Sequence, residues 1–251
     1  MRRPAYRLNR GRIAVPMAVS GAGPLDPLTI IGGTPYFFYS GDLGVTIGTG
    51  VSNWADQSGN SRDASQGTGG AQPGYNASEL NGRGVLTFDG TDDFMQLTTW
   101  DPPAPGTTPV MFWGVIQTVS WVGTDCLFGG GGISMLRCRQ CTSSPRIACN
   151  NGVVGPDNAG AVVGSYVQFM NLFNNSTTDY LYAGGVSATG TNTGNNDVAA
   201  GAFRLCSDDG VSRFGNFKFA CFGAWQADFS AGVKSSLASW IAAYYGGSVV
   251  L

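Results

Sequence analysis

The stretch from residue 51 to 95 limits what this chain can fold into, because glycine and proline interrupt it too often for a helix. The interrupting residues are Gly59, Gly67, Gly69, Gly70, Pro73 and Gly74. Residues 85–88 are typical of a short strand, and the Asp89-Gly90 turn would end it. Trp54 and Phe88 bury large apolar areas, so we expect both in the core. The stretch therefore predicts short strands joined by tight turns.

Composition extends this prediction to the whole chain. Charged residues make up only 12% of it, while 39 of its 251 residues are glycine. Such a surface must be built largely from small polar residues, as in a β-protein with many turns. Disorder is not expected, because 43% of the residues are hydrophobic and they are spread along the sequence.

Residues 110–122 (VMFWGVIQTVSWV) give the strongest strand pattern and predict a central strand. One face would carry Met111, Trp113, Val115 and Gln117, and the other Phe112, Ile116 and Thr118. Residues 161–173 and 178–186 predict a second pair of strands. Residues 203–206 and 217–225 predict a hairpin, in whose second strand Phe217, Phe219, Cys221 and Trp225 recur with a period of two.

The chain ends in its one convincing helix. Ser230 can cap the amino end, and Gly246 can end the helix. A helical spacing aligns the apolar residues Val233, Leu237, Trp240, Ile241 and Tyr244. We expect this helix to cover one end of the β-structure.

Several motifs resemble those of the concanavalin A-like, laminin-G-like jelly-roll family. The matching residues are Trp54, Asp56, Ser58, Gly59, Asn60, Gln72, Pro73, Phe88, Asp89, Gly90, Asp92, Asp93 and Phe94, and near the end Leu237, Trp240, Ile241, Ala242, Tyr245 and Gly246. The chain departs from the family where Ser40-Gly41-Asp42 replaces the usual Asp-Ala. The resemblance implies an all-β, two-sheet antiparallel jelly-roll sandwich with a short C-terminal helix.

The residue types argue against catalysis. The chain has no histidine, so neither a Ser-His-Asp nor a Cys-His site can form, nor a His-ligated metal centre. Glycosidases on a related sandwich need two carboxylates with separate roles, usually from a Glu-x-Asp-x-Glu pattern, and Glu79 is the only glutamate. We predict a non-enzymatic protein without catalytic residues or an organic cofactor.

The six cysteines, at 126, 138, 141, 149, 206 and 221, allow three arrangements. The first is a zinc site, although the first four cysteines contain one CxxC and lack the paired units of a zinc ribbon. The second is a set of buried free thiols, and the third is one or two disulfides. The sequence does not decide between the last two.

The amino-terminal segment differs in charge from the rest. Residues 1–28 predict an extended basic arm and residues 29–251 the jelly-roll domain. Residues 1–25 carry five of the 14 basic residues and no acidic residue, which leaves nine basic against 16 acidic residues, a net charge of −7, on residues 26–251. We predict that the arm binds a partner through Arg2, Arg3, Arg7, Arg10 and Arg12.

Protein is the expected partner of this arm, either another assembly protein or a second copy of the chain. Nucleic acid is not favoured, because the acidic remainder would repel it. The apolar run at 13–19 is too short and too broken by Pro16 for a cleaved signal peptide, and no run of about 18 apolar residues predicts a membrane span.

Two functions follow as expectations. Stand-alone copies of this fold resemble virion components of tailed bacteriophages, so we predict a capsid decoration, head-fibre or tail protein located in the virion. The alternative is a lectin-like carbohydrate-binding module, to which calcium could contribute. Candidate oxygen ligands for calcium are Asp89, Asp92, Asp93, Asp208 and Asp209.

Overall fold

We describe the protein from a computed structural model. The described residues are 26–97, 109–130, 136–142, 146–151, 156–173, 178–191, 203–207, 209–228 and 230–251. The predicted arm, with its five arginines, lies outside them.

Strands dominate the described residues. The first nine are β1 (Thr34–Ser40), β2 (Val45–Ile47), β3 (Val51–Trp54), β4 (Ala64–Ser65), β5 (Gly74–Leu80), β6 (Arg83–Thr87), β7 (Met95–Leu97), β8 (Val110–Thr118) and β9 (Cys126–Gly130). The others are β10 (Leu136–Gln140), β11 (Ile147–Asn151), β12 (Asp157–Asn158), β13 (Tyr166–Phe173), β14 (Thr178–Ala183), β15 (Val186–Thr191), β16 (Phe203–Leu205), β17 (Phe217–Gln226) and β18 (Val249–Val250). The α-helices are α1 (Pro27–Ile31) and α2 (Ala231–Tyr245).

The strands form two nine-stranded sheets. Sheet A has the order β15-β14-β13-β8-β17-β6-β5, with β1 also paired to β17 and β18 to β13. Sheet B has the order β12-β11-β10-β9-β16-β7-β4-β3-β2. The described pairs are antiparallel except β13 with β18. The all-β, two-sheet antiparallel sandwich predicted from the sequence is confirmed.

Aromatic rings fill the space between the sheets. Phe112 of sheet A stacks on Phe128 and Phe203 of sheet B, at centroid distances of 4.4 and 5.7 Å. Trp54 and Phe88 are fully buried in this core, as predicted. The Trp54 indole also donates to the Ser40 carbonyl at 2.8 Å, which satisfies its polar atom. The interior is therefore shared by both sheets.

Helix α2 makes a second core on the opposite face of sheet A. Trp240 meets Trp113 edge to face at 5.8 Å, and Leu237 and Ile241 are completely buried beside it. The Ser230 side chain caps the helix by accepting from the Val233 amide at 3.1 Å, as predicted. The expected position was wrong, however. The helix covers a sheet face rather than an end, because that face of sheet A is itself apolar.

The structure confirms β8 as a central strand, since it pairs with β13 on one side and β17 on the other. Phe112 and Ile116 face the sandwich core, while Met111, Trp113 and Val115 face α2. The two predicted faces are thus both buried. This explains why the strand is apolar along most of its length.

The predicted hairpin of residues 203–206 and 217–225 is wrong. β16 pairs with β7 and β9 in sheet B, whereas β17 lies in sheet A, so the chain crosses between the sheets. A register shift between Phe219 and Cys221 also divides β17. Phe219 therefore faces the sandwich core, while Cys221 faces α2.

The family-like motif around Asp56 is structural. Its carboxylate accepts from the Phe38, Ser58 and Arg62 amides at 2.9, 2.8 and 3.1 Å, which ties a surface loop to β1. Gln72 acts in the same way, since it accepts from the Gly50 amide and donates to the Gln66 carbonyl. The side chains of these two residues therefore hold loops in place.

The cysteines combine a disulfide with buried thiols. Cys138 and Cys149 lie opposite each other on β10 and β11 and form a disulfide, with their Cα atoms 4.0 Å apart. Cys206 and Cys221 are buried thiols, and Cys141 is half-buried. Among the described residues, no zinc-like cysteine cluster forms. No described helix is long and apolar enough to cross a membrane.

Candidate functional site on the outer face of sheet B

The outer face of sheet B differs from that of sheet A, because within the described chain no helix packs on it. A row of outward polar side chains crosses its strands. Ser65 pairs with Gln96, Gln96 with Arg204, and Arg204 with Gly129, which in turn pairs with Arg137. These residues alternate with buried neighbours such as Leu97, Leu205 and Cys138. The side chains of this row are polar and half-buried.

An aromatic pair lies beside the middle of this row, next to Arg204. Phe94 and Phe214 stack at 6.2 Å between centroids, and both are only half-buried. The Arg204 guanidinium lies 6.0 Å from the Phe94 ring centre, and its Nε donates to Gln96 at 3.0 Å. Half-exposed rings beside fixed polar groups are typical of ligand sites, because the rings give contact area and the polar groups give orientation.

Three of the predicted calcium ligands meet next to Phe94. Asp89, Asp92 and Asp93 can each offer a carboxylate oxygen, all within 4.8 Å of one another. Asp93 is 6% exposed and accepts from the Asp89 amide at 3.0 Å. Burial, together with the charges of Asp89 and Asp92, raises the pKa of Asp93 to about 6, although the amide hydrogen bond opposes the shift. The three carboxylates thus repel one another.

Asp209 does not join this cluster. It accepts from the Val211 and Ser212 amides at 2.8 and 2.7 Å and from the Ser212 hydroxyl. These hydrogen bonds and the nearby Arg213 lower its pKa to about 2, against the opposing effect of burial. Local turn chemistry accounts for Asp209. Asp208 lies outside the described residues.

A polar cleft of about 450 Å³ opens at the edge formed by β10, β11 and β12. Its lining is Thr124, Arg139, Gln140, Cys141, Thr142, Arg146, Ala148 and Asp157. Arg146 and Asp157 form a salt bridge across the cleft. Gln140 is committed to the fold, since its side chain accepts from the Val122 amide and donates to the Ser120 carbonyl.

Backbone hydrogen bonds bring the cleft and the aromatic pair together. The amide of Thr124, a cleft residue, donates to the Gln140 carbonyl at 2.9 Å. Two residues later, the Cys126 amide donates to the Arg213 carbonyl at 3.0 Å, and Phe214 follows directly. The loop that carries Phe214 therefore lies beside the start of β9, next to the cleft. We call the aromatic pair, Arg204 and the cleft the rim site.

Comparison with known proteins supports the fold. No family model and no curated protein matches the chain in sequence. Among solved structures, the chain is similar to domain 4 of AbnA, an extracellular arabinanase from Geobacillus stearothermophilus, in complex with arabinotriose. The TM-score is 0.57 at 16% identity, over 81% of this chain and 98% of that one.

Two toxin structures are similar as well. The binding domain of Paraclostridial Mosquitocidal Protein 1 has a TM-score of 0.58 at 8% identity, and the receptor binding domain of botulinum neurotoxin D has 0.53 at 7%. Each match covers 82% of this chain and 52% of the other, so the chain spans about half of each toxin structure. At these identities the likeness shows a shared β-sandwich fold, one found in carbohydrate- and receptor-binding domains.

None of these three structures is a virion protein, so the virion assignment stays a prediction. The same holds for the five arm arginines, which lie outside the described residues, and for the absence of catalysis. The resemblance to jelly-roll domains is supported at the level of the sandwich.

The cleft and the aromatic pair are not among the sites predicted from the sequence. Arg137-Cys138-Arg139 was a usable signal, because two arginines flanking a buried residue predict a strand with one solvent-facing side. The sequence gives no such signal for Phe214, because its contact with Phe94 arises only where the chain crosses from sheet B to sheet A between β16 and β17. Arg146 and Asp157 meet only because β10, β11 and β12 are adjacent.

Proposed function

We propose that this protein is a non-catalytic carbohydrate-binding module whose ligand occupies the rim site. The observation that carries this proposal is the half-exposed Phe94–Phe214 pair, which lies beside Arg204 on the sheet face that no described helix covers, together with the polar cleft. Sugar rings present apolar C–H faces and polar hydroxyl edges, which suit aromatic rings and hydrogen-bonding groups together. The similar AbnA domain, in complex with arabinotriose, adds support by analogy of fold.

Calorimetric titration with a panel of neutral and acidic oligosaccharides tests the proposal. We expect Phe94→Ala to weaken binding at least tenfold, a change equal to about 1.4 kcal/mol. Tyr180→Ala is the matched control, because it removes a 39% exposed aromatic ring from the outer side of sheet A. Unchanged affinity for a folded Phe94→Ala variant, or no binding by any member of the panel, would contradict the proposal.

Calcium is part of the same proposal. The Asp89, Asp92 and Asp93 oxygens supply three of the six to eight oxygen ligands that calcium takes, next to Phe94. A cation there would also relieve the repulsion among the three carboxylates. Repeating the titration with calcium and with a chelator gives the readout, and we expect tighter binding with calcium.

We also propose, from charge alone, that the basic arm attaches the module to a larger assembly such as a virion. The supporting observation is the segregation of five arginines within residues 1–12 from an acidic remainder. Glycan binding through the rim site and attachment through the arm are compatible, because they use different parts of the chain.

A further inference from the structure

One arginine of the cleft, Arg139, makes no described contact that stabilises the fold. Within the described residues, the Arg139 guanidinium has no hydrogen-bond or salt-bridge partner, although Arg139 lies on β10 and lines the cleft. Other arginines are committed: Arg62 donates to the Tyr36 carbonyl at 2.8 Å, and Arg83 stacks on the Tyr244 ring and approaches Asp42. Arg139 therefore offers a planar set of donors to a ligand.

The other charged groups of the cleft leave one positive charge uncompensated. Arg146 pairs with Asp157, and this hydrogen bond and charge raise the pKa of Arg146, so these two charges offset each other. The Cys141 thiol also lines the cleft. Burial and the charge of Asp157 raise the pKa of this thiol more than Arg139 and Arg146 lower it. Cys141 is therefore neutral at pH 7 and does not offset the charge of Arg139.

A single surplus positive charge favours a single negative charge on the ligand. Residues 26–251 carry a net charge of −7, which disfavours polyanions such as nucleic acid or heavily sulfated chains. A carboxylate is monoanionic and planar, and it accepts two parallel hydrogen bonds from a guanidinium. The Thr124 and Thr142 side chains, also in the lining, can pair with hydroxyl groups next to such a carboxylate.

We propose that the cleft makes this protein selective for acidic sugars, with Arg139 binding the carboxylate of a uronic acid unit. This inference rests on the proposed carbohydrate-binding function and names the ligand class. The adjacent aromatic pair would hold the sugar rings, whatever their charge, and Arg139 would select the acidic ones.

Paired oligosaccharides test the inference on the full chain. Each pair shares one backbone and differs only at the carboxyl group, which is a carboxylate in the uronate oligosaccharide and an uncharged methyl ester in its partner. We expect the wild-type protein to bind the uronate at least tenfold more tightly than the ester. Arg139→Gln should remove this preference, so that the uronate binds no more tightly than its ester, and Arg139→Lys should restore part of it because the charge returns without the bidentate geometry.

Lys234→Gln is the matched control, since it removes one positive charge from α2, on the outer face of sheet A, and should leave the preference intact. Equal binding of uronate and ester by the wild-type protein would overturn the inference and leave the carbohydrate-binding function standing. A preference that survives in Arg139→Gln would also overturn it. Binding of no oligosaccharide, with or without charge, would instead reject the carbohydrate-binding function itself.

Discussion

Among the three clustered aspartates, Asp93 is the one whose ionised form is most destabilised by its surroundings. It is almost completely buried, with Asp89 and Asp92 beside it, yet its one described hydrogen bond comes from the Asp89 amide. A buried carboxyl in such a place is more stable neutral than charged, which is why its pKa rises to about 6. Asp209, with three hydrogen-bond donors in a turn, shows the opposite shift.

We predict that Asp93 makes stability fall as pH rises. An unfolded aspartate titrates near pH 4, so between about pH 4 and 6 the native state holds a proton that the unfolded state has lost. The free energy of unfolding should therefore decrease across this window, by about 1–2 kcal/mol after allowance for solvent screening at the rim. Asp125, whose pKa burial also raises to about 6, adds to the decrease.

Urea unfolding of the wild-type protein and Asp93→Asn at pH 4, 5, 6 and 7 isolates the contribution of Asp93. The readout is the difference in unfolding free energy between the two proteins, because Asp125 and the carboxyls outside the Asp89–Asp92–Asp93 cluster affect both alike. This difference should shift in favour of Asp93→Asn as pH rises. A difference that stays constant from pH 4 to 7 would refute the assignment.

Helix α2 adds a third layer to the two-sheet sandwich. Its buried side contacts the aromatic side chains of β8 and β17, while most of its other side is exposed. Side-chain contacts also hold the carboxyl end of α2 against β6 and the turn after β1. Tyr244 donates to Asp42 at 2.7 Å, and Arg83 lies 3.9 Å from the Tyr244 ring centre.

We predict that Leu237→Ala destabilises the protein by about 2–5 kcal/mol, because it leaves a cavity in the completely buried second core. The neighbouring Ser236 is exposed, so Ser236→Ala should change stability by no more than about 0.5 kcal/mol. Denaturant unfolding measures both. Oligosaccharide affinity under native conditions should be the same in the two variants, since α2 and the rim site lie on opposite sides of the molecule. An equally small loss of stability in Leu237→Ala would contradict this role of α2.

The elements that the sequence predicted are those whose signal is local. The two faces of β8 and the caps of α2 depend only on residues close together in the sequence, and the structure confirms the prediction of each. The hairpin prediction failed because the partners of β16 and β17 are distant in sequence and a register shift divides β17. The rim site was not predicted either, because its side chains come from loops and strands that are distant in the sequence.

At the scale of the whole molecule, charge and burial are unevenly distributed. Sheet A is covered on one face by sheet B and on the other by α2, whereas sheet B has one polar face that no described helix covers. The remainder of the chain beyond the arm is acidic, whereas the cleft contains two arginines against one aspartate. This arrangement places the proposed ligand contacts away from the buried layers.

We predict that the arm drives self-association or attachment. Light scattering should give a multimer for the full chain and a monomer for a chain that starts at Asp26, which keeps the Asp26 cap of α1. Replacing all five arm arginines by serine should have the same effect as deletion, whereas lysine should retain part of the association. Identical masses for the full and shortened chains would exclude self-association through the arm, and identical binding of both to an assembly partner would exclude attachment.

The second core beneath α2 has a consequence for how the protein could diversify. Substitutions on the polar face of sheet B change side chains that contribute little to holding the layers together. Under the proposed carbohydrate-binding function, the preferred ligand would therefore change through substitutions on this face that leave the stability of the fold unchanged. Selection on recognition and selection on folding would act on separate sets of positions.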